Sequence, residues 1–353
     1  MNIKLSKSFF KMSFLIVSTS ILILPAALVA QYGAHAQTDG AAPKTPRTKS
    51  GASEKSSRFH VQGDIQTLPI TMVREFPYIS AEVNGIPGKL MFDTGGQGAL
   101  SLNDHLITNL GPGKVVGKGM FGSGQEFTVN LHSSVDHVSV GEGANRLSFT
   151  SPQNIISQNL EFMQKDITPG AMGLIGYEFF DGYLMKLDYG GGKITFYKAT
   201  EARRASKDFL KGEIVLATLP FETRKLPNHP LIPLKIGSHD FLGAFDTGQL
   251  GGAYLNPETQ QAMMQEGLLK PLSQKSGEGG PARCRIDDIH LTGDDGHSIT
   301  AFVDAVPVFN QPSPAAEPMG APEANIINLG YAFLSHYKTV WDYPDKKIYL
   351  LKK

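Results

Sequence analysis

Cysteine is almost missing from this sequence: Cys284 is the only one in 353 residues. A lone thiol excludes an intramolecular disulfide framework and a cysteine-based structural zinc site. A surplus of one charge is missing too, since 33 basic residues balance 33 acidic ones. That excludes the basic excess of a general nucleic-acid binder. No segment after Ala30 is apolar enough to span a bilayer. The chain has no Gly-x-x-x-x-Gly-Lys phosphate loop, no His-Glu-x-x-His and no Gly-x-Ser-x-Gly, and Gly122-Ser123-Gly124 is only part of a Gly-rich turn. What the chain does have is glycine, 38 residues, and a hydrophobic fraction of 41%. Together they point to folded cores built from strands and turns rather than long helices. The length suits about two domains.

The first 36 residues carry Lys4, Lys7 and Lys11 and no acidic residue. An uncharged stretch from Phe14 to Ala30 follows, and then Ala34-His35-Ala36. This is the layout of a secretory signal peptide, with cleavage expected after Ala36 in preference to an uncleaved anchor. The expected location is therefore periplasmic or secreted, with no stable membrane insertion after cleavage. Residues 37–60 read as a flexible leader, too poor in apolar surface to offset the entropy of ordering.

The rest of the chain is organised by an internal repeat. Asp93-Thr94-Gly95 and Asp246-Thr247-Gly248 each follow an apolar strand, Leu90-Met91-Phe92 in one case and Leu242-Gly243-Ala244-Phe245 in the other. A hairpin turn precedes each strand, at Val83-Asn84-Gly85 and Ile236-Gly237-Ser238. Asn103 and Asn256 lie equally far past their aspartates and predict a helix start in each unit, with stops at Gly111 and Gly267. Further on, Gly176-Tyr177-Glu178-Phe179 matches Gly330-Tyr331-Ala332-Phe333, and Asp188-Tyr189 matches Asp342-Tyr343. The expected organisation is a signal peptide at 1–36, a leader at 37–60, one unit at 61–198, a linker at 199–213 and a second unit at 214–353. The charged stretch Thr200–Lys211 suits a short connecting helix.

A carboxylate directly after an apolar strand sits at the edge of a core and needs hydrogen-bond donors. Two such loops facing across a pseudo-two-fold axis make a carboxylate pair that shares one proton. Such a pair can activate a water for attack on a carbonyl. At these residues the chain resembles the aspartic peptidases, the pepsin and retropepsin clan. It resembles most the secreted bacterial retropepsin-like proteins that carry two such units in tandem. The resemblance implies a mainly β, bilobal acid-protease fold of two β-barrel-like lobes with few short helices. It also implies an aspartic endopeptidase that is a monomer, acts on a peptide or protein substrate and needs no cofactor or metal. Asp93 and Asp246 would be its catalytic pair, supported by Thr94, Gly95, Thr247 and Gly248. Flap hairpins would cover the cleft, with Gly119, Met120, Phe121 and Gly122 as candidates in the first unit and Gly277 and Gly279 in the second. Both stretches are equally ordinary Gly-rich hairpin loops.

Three positions depart from the family pattern. Gly96 and Gln249 stand where Ser, Thr or Ala usually follows Asp-Thr-Gly, and Asn328 fills an apolar slot. They motivate a second reading: a catalytically impaired protein of the same fold that holds an extended peptide by strand-like pairing without cutting it. The Pro-rich stretch Val306–Pro322 either rims the cleft or is a solvated loop, and the solvated loop is expected. His132 and His137 read as ordinary core or surface histidines, and Cys284 as a plain buried thiol.

Overall fold

The structure, a computed structural model, describes residues 21–24, 58–121, 125–275 and 281–353. Of the expected signal peptide and leader, only Ile21–Leu24 and 58–60 are among them. The fold is mainly β with few short helices. Among the described residues no helix is long and apolar enough to cross a membrane.

Alternation and turn chemistry build the strands. Phe76–Val83 and Ile86–Phe92 pair antiparallel, from Tyr78 opposite Met91 to Val83 opposite Ile86. Asn84 and Gly85, at φ 49° and 79°, close the hairpin with the left-handed pair a two-residue turn requires. In the second unit Leu231–Ile236 pairs with His239–Phe245, from Leu231 opposite Ala244 to Ile236 opposite His239. The two hairpins superimpose in register on their aspartates, so Phe76-Pro77-Tyr78 corresponds to His229-Pro230-Leu231.

Three sheets result. An eleven-stranded sheet holds strands that precede residue 176, and a seven-stranded sheet holds strands from 231 to 329. The third, six-stranded, draws on both halves. Ile65–Pro69, Tyr183–Asp188 and Lys193–Lys198 come from the first, and Val215–Pro220, Lys338–Asp342 and Lys347–Leu351 from the second. The halves meet where Met185, Lys186 and Leu187 pair with Trp341, Val340 and Thr339. Trp341, the one tryptophan, is fully buried at that seam.

One topology recurs in both units. The strand leading into each aspartate runs parallel to the later apolar strand, Ile86–Phe92 to Ala171–Ile175 and His239–Phe245 to Ile326–Leu329. That apolar strand pairs antiparallel with the strand leaving the aspartate loop, Leu100–Asn103 or Gly252–Tyr254. Each aspartate loop is thus threaded between two ladders, which fixes its backbone.

The helix expectation holds in one unit only. Asn256 caps Pro257–Gln265 by accepting the Thr259 N–H at 2.8 Å. No helix follows Asn103, which ends the strand Leu100–Asn103. Its Oδ1 accepts the N–H groups of His105 and Leu160, and its Nδ2 donates to the Ala171 carbonyl. The side chain is spent on three separate segments, and the chain beyond it turns. The linker does form its helix, Glu201–Ser206, capped by Thr200. The Val306–Pro322 stretch is not a solvated loop: it contains the helix Ala316–Met319, with Met319 buried in an apolar cluster.

Candidate functional site

The two aspartate loops meet at the seam between the units. Asp93 is 0% and Asp246 1% exposed. Donors to them are unequal. Oδ1 of Asp93 accepts the N–H groups of Gly95 and Gly96 at 2.9 and 3.2 Å. Asp246 receives Gly248 N–H at 2.8 Å and, across the seam, Gly95 N–H at 3.1 Å, both on Oδ1. Gln249 Nε2 donates to its Oδ2 at 3.0 Å. Gly96 has no side chain to do the same for Asp93, whose Oδ2 meets no N–H or hydroxyl donor. Burial, and then the charge of Asp246, hold the Asp93 carboxyl well above the usual carboxylate range. Asp93 therefore keeps a proton and donates it to Asp246, which supplies the missing bond.

The loops are cross-braced. Thr94 N–H donates to Thr247 Oγ1 and Thr247 N–H to Thr94 Oγ1, each at 3.0 Å. Thr247 Oγ1 donates onward to the Phe92 carbonyl. The glycines are steric necessities. A β-carbon on Gly95 would lie 2.4 Å from Asp246 Oδ2, and one on Gly248 2.2 Å from Asp93 Cγ. One on Gly176 or Gly330 would strike the Gly96 or Gln249 carbonyl. Tyr177 and Tyr331, the residues that follow, donate their N–H groups to those same carbonyls. Asn328 is buried in the strand Ile326–Leu329 between Ala244 and Gly252, so the departure from an apolar residue leaves the ladder intact.

A third segment completes the site and was not singled out from the sequence. Asn228, fully buried, donates from Nδ2 to the carbonyls of Thr94 and Gly95 at 3.1 and 2.8 Å. Its own carbonyl accepts the Tyr343 hydroxyl. Beside it His229 is 4% exposed with Nδ1 unpartnered. Burial depresses its basicity, against the pull of the Asp246 charge. Under the pair, four tyrosines cross between units. Tyr177 packs on Tyr343 with ring centroids 4.8 Å apart, and Tyr331 on Tyr189 at 5.2 Å. The sequence repeat matches Tyr177 to Tyr331 and Tyr189 to Tyr343. It carries no sign that each packs on the opposite unit.

Among the flap candidates, Gly119, Met120 and Phe121 belong to the strand Lys114–Phe121, paired with Glu126–Ser134. Gly122, Gly277 and Gly279 lie outside the described residues. Phe121 packs on Phe127 and Phe162 within the first unit. A β-carbon on Gly119 would meet the Phe127 ring at 2.3 Å, so glycine lets that ring lie flat on the hairpin. Met120, on the other face, crosses to the second unit. It packs on an apolar cluster of Leu226, Leu231, Leu242, Met319, Ala321 and Ile326. The free side of Lys118–Phe121 pairs antiparallel with Ile21–Leu24. Away from the pair, His132 Nε2 shares a hydrogen bond with Ser157 Oγ, and burial pushes the Cys284 thiol up.

No protein-family model and no curated protein matches this chain. Solved structures do. Conglutin gamma, a basic 7S globulin from lupine seeds, is similar at TM-score 0.51 and 9% identity, over 83% of this chain and 96% of that one. Edgp is similar at TM-score 0.50 and 10% identity, over 84% and 95%. Basic 7S globulin from soybean is similar at TM-score 0.49 and 10% identity, over 82% and 95%. These likenesses correct two expectations. The likeness found is to a seed globulin rather than to the secreted bacterial retropepsin-like proteins that the motifs suggested. And the fold does not bring peptidase activity with it, so the endopeptidase reading, with its hydrolase, protease, signal and periplasm descriptors, is not sustained. What the comparisons establish is the bilobal pepsin-like fold.

Proposed function

We propose that this protein binds an extended segment of polypeptide in the cleft of a pepsin-like fold and does not cut it. The observation that carries the reading is the closed state of the aspartate pair. Both carboxyls are buried, the Oδ2 of Asp246 accepts from Gln249, and Met120 of the strand Lys114–Phe121 packs on the opposite unit. Peptide-bond hydrolysis needs a water between the carboxyls and a carbonyl within reach. Binding needs neither. The pairing of Ile21–Leu24 along Lys118–Phe121 supports the reading, because an extended segment there takes main-chain hydrogen bonds from the edge of the strand Lys114–Phe121. One chain supplies both units and the sheet they share, so a monomer suffices.

The full chain incubated with a mixed peptide library, from acidic to neutral pH, tests this. Recovered complexes should contain intact peptides, with no new termini by mass spectrometry. Cleavage products that vanish in Asp93→Asn and Asp246→Asn would overturn the reading. So would retention of no peptide at any pH.

A further inference from the structure

Exposed large apolar side chains among the described residues mostly stand singly, as Ile65, Val115, Met264 and Leu272 do. That is ordinary for a protein surface. Ile214, Val215 and Leu216 are consecutive, and they are 59%, 41% and 43% exposed. They stand where the chain enters Val215–Pro220, a strand at one edge of the six-stranded sheet. The ladder to Lys347–Leu351 gains an extra residue between Val215 and Ala217, so alternation fails and neither Val215 nor Leu216 turns inward. Further along, the edge is occupied, because Asp294 donates its N–H to the Thr218 carbonyl. The exposed part is a short apolar tip. Charge around it is of one sign. Lys352 donates its N–H to the Ile214 carbonyl, which sets Lys352 and Lys353 beside the tip. Lys211 stands just before it in the chain, and Lys207 lies over the ring of Tyr349, which pairs with Thr218. All of these lysines are exposed. The acids next to them in sequence are engaged elsewhere: Glu213 is held inward between Lys186 and Lys338, and Asp208 is bound by Arg203.

We infer that this tip docks the protein on a membrane: Ile214, Val215 and Leu216 dip into the interface of a bilayer rich in anionic lipid, while Lys207, Lys211, Lys352 and Lys353 meet its headgroups. Aliphatic side chains leave water when they enter the interface, and each lysine near an anionic surface adds attraction. Neither part suffices alone. Three aliphatic groups bury little area, and salt screens the lysines. Together they give reversible adsorption, not insertion. A second copy of the chain is the other occupant such an edge could take, and the same features oppose it. The extra residue at Leu216 bends the edge out of line for strand pairing, and a two-fold contact there sets lysines against lysines. The tip contains no residue of the aspartate site, so the inference stands apart from the peptide-binding reading.

A fluorophore placed in the tip tests this. The full chain carries Leu216→Cys with an environment-sensitive dye on that thiol, and Cys284, 3% exposed, stays unlabelled. Vesicles of phosphatidylglycerol and phosphatidylcholine should shift the emission to the blue at low salt, far more than vesicles of phosphatidylcholine alone. Adsorption through the apolar stretch Phe14–Ala30 leaves the dye in water and cannot mimic that result. In the labelled chain, Lys352→Glu with Lys353→Glu, and separately Ile214→Ser, should each raise the lipid concentration needed about tenfold. These positions are exposed, so an unchanged melting temperature shows that the variants are folded. Emission unchanged by vesicles of either composition overturns the inference. So does an equal shift on both compositions, or an affinity that neither variant alters. A shift that appears without vesicles as the protein is concentrated gives the tip to a second copy and overturns it as well.

Discussion

At the scale of single residues, the asymmetry between two nearly identical loops decides where the proton sits. Gly96 withholds a donor from Asp93 while Gln249 supplies one to Asp246. A carboxyl whose folded pKa is raised stabilises the fold fully below its unfolded pKa of about 3.9, and that contribution is lost as pH rises toward the folded value. Asp93→Asn removes this loss and leaves an amide to donate to Asp246. The variant should therefore melt about 2–4 °C higher than wild type at pH 7, with no gain at pH 3.5. A lower melting point at pH 7 would place the proton elsewhere. His229 acts in the opposite sense. Its folded pKa is depressed, so its contribution is lost as pH falls below about 6.5. His229→Phe, which copies its counterpart Phe76, should flatten the fall in melting temperature as pH drops below about 6.5. Gly248→Ala meets the Asp93 carboxyl head-on and should cost about 3 kcal/mol in denaturant unfolding.

At the scale of elements, hydrogen bonds between distant segments outweigh local propensity. Asn103 illustrates this. As a helix cap it would serve one N–H, but here it ties the segments at His105, Leu160 and Ala171 together. Asn103→Ala strands those groups in the interior and should cost about 2–3 kcal/mol, against about 1 kcal/mol for Asn256→Ala at a true cap. Paired denaturant melts would show the difference, and equal costs would count against it. The contrast also explains what was legible in the sequence. The aspartate loops, their hairpins, the apolar-apolar-Gly strands and the Asn256 cap are local patterns repeated at fixed offsets, and each is found as read. The Asn228 carbonyl clamp, the crossing of the tyrosines and the seat of Met120 depend on which unit faces which, and no offset within one unit encodes that. The endopeptidase expectation rests on the most local pattern of all, three residues long.

At the scale of the whole molecule, the units are joined by exchange more than by contact. The shared sheet takes three strands from each half. The threonines trade backbone bonds, Gly95 and Gly248 lie against the other unit's aspartate, and Tyr177 and Tyr331 each pack on a tyrosine of the other unit. Tyr343→Ala removes one ring pair and the hydroxyl that holds Asn228, and should cost about 3–5 kcal/mol. The peptide bond between the halves, by comparison, does little of the joining. Lys207, exposed at φ 51° after the linker helix, offers a place to sever it. A chain nicked there should run as one particle on a sizing column, and the halves should separate only when the shared sheet melts. The protein would then behave as a heterodimer written on a single message. Its two pieces, made separately, should find each other and report their meeting, as the parts of a split reporter do.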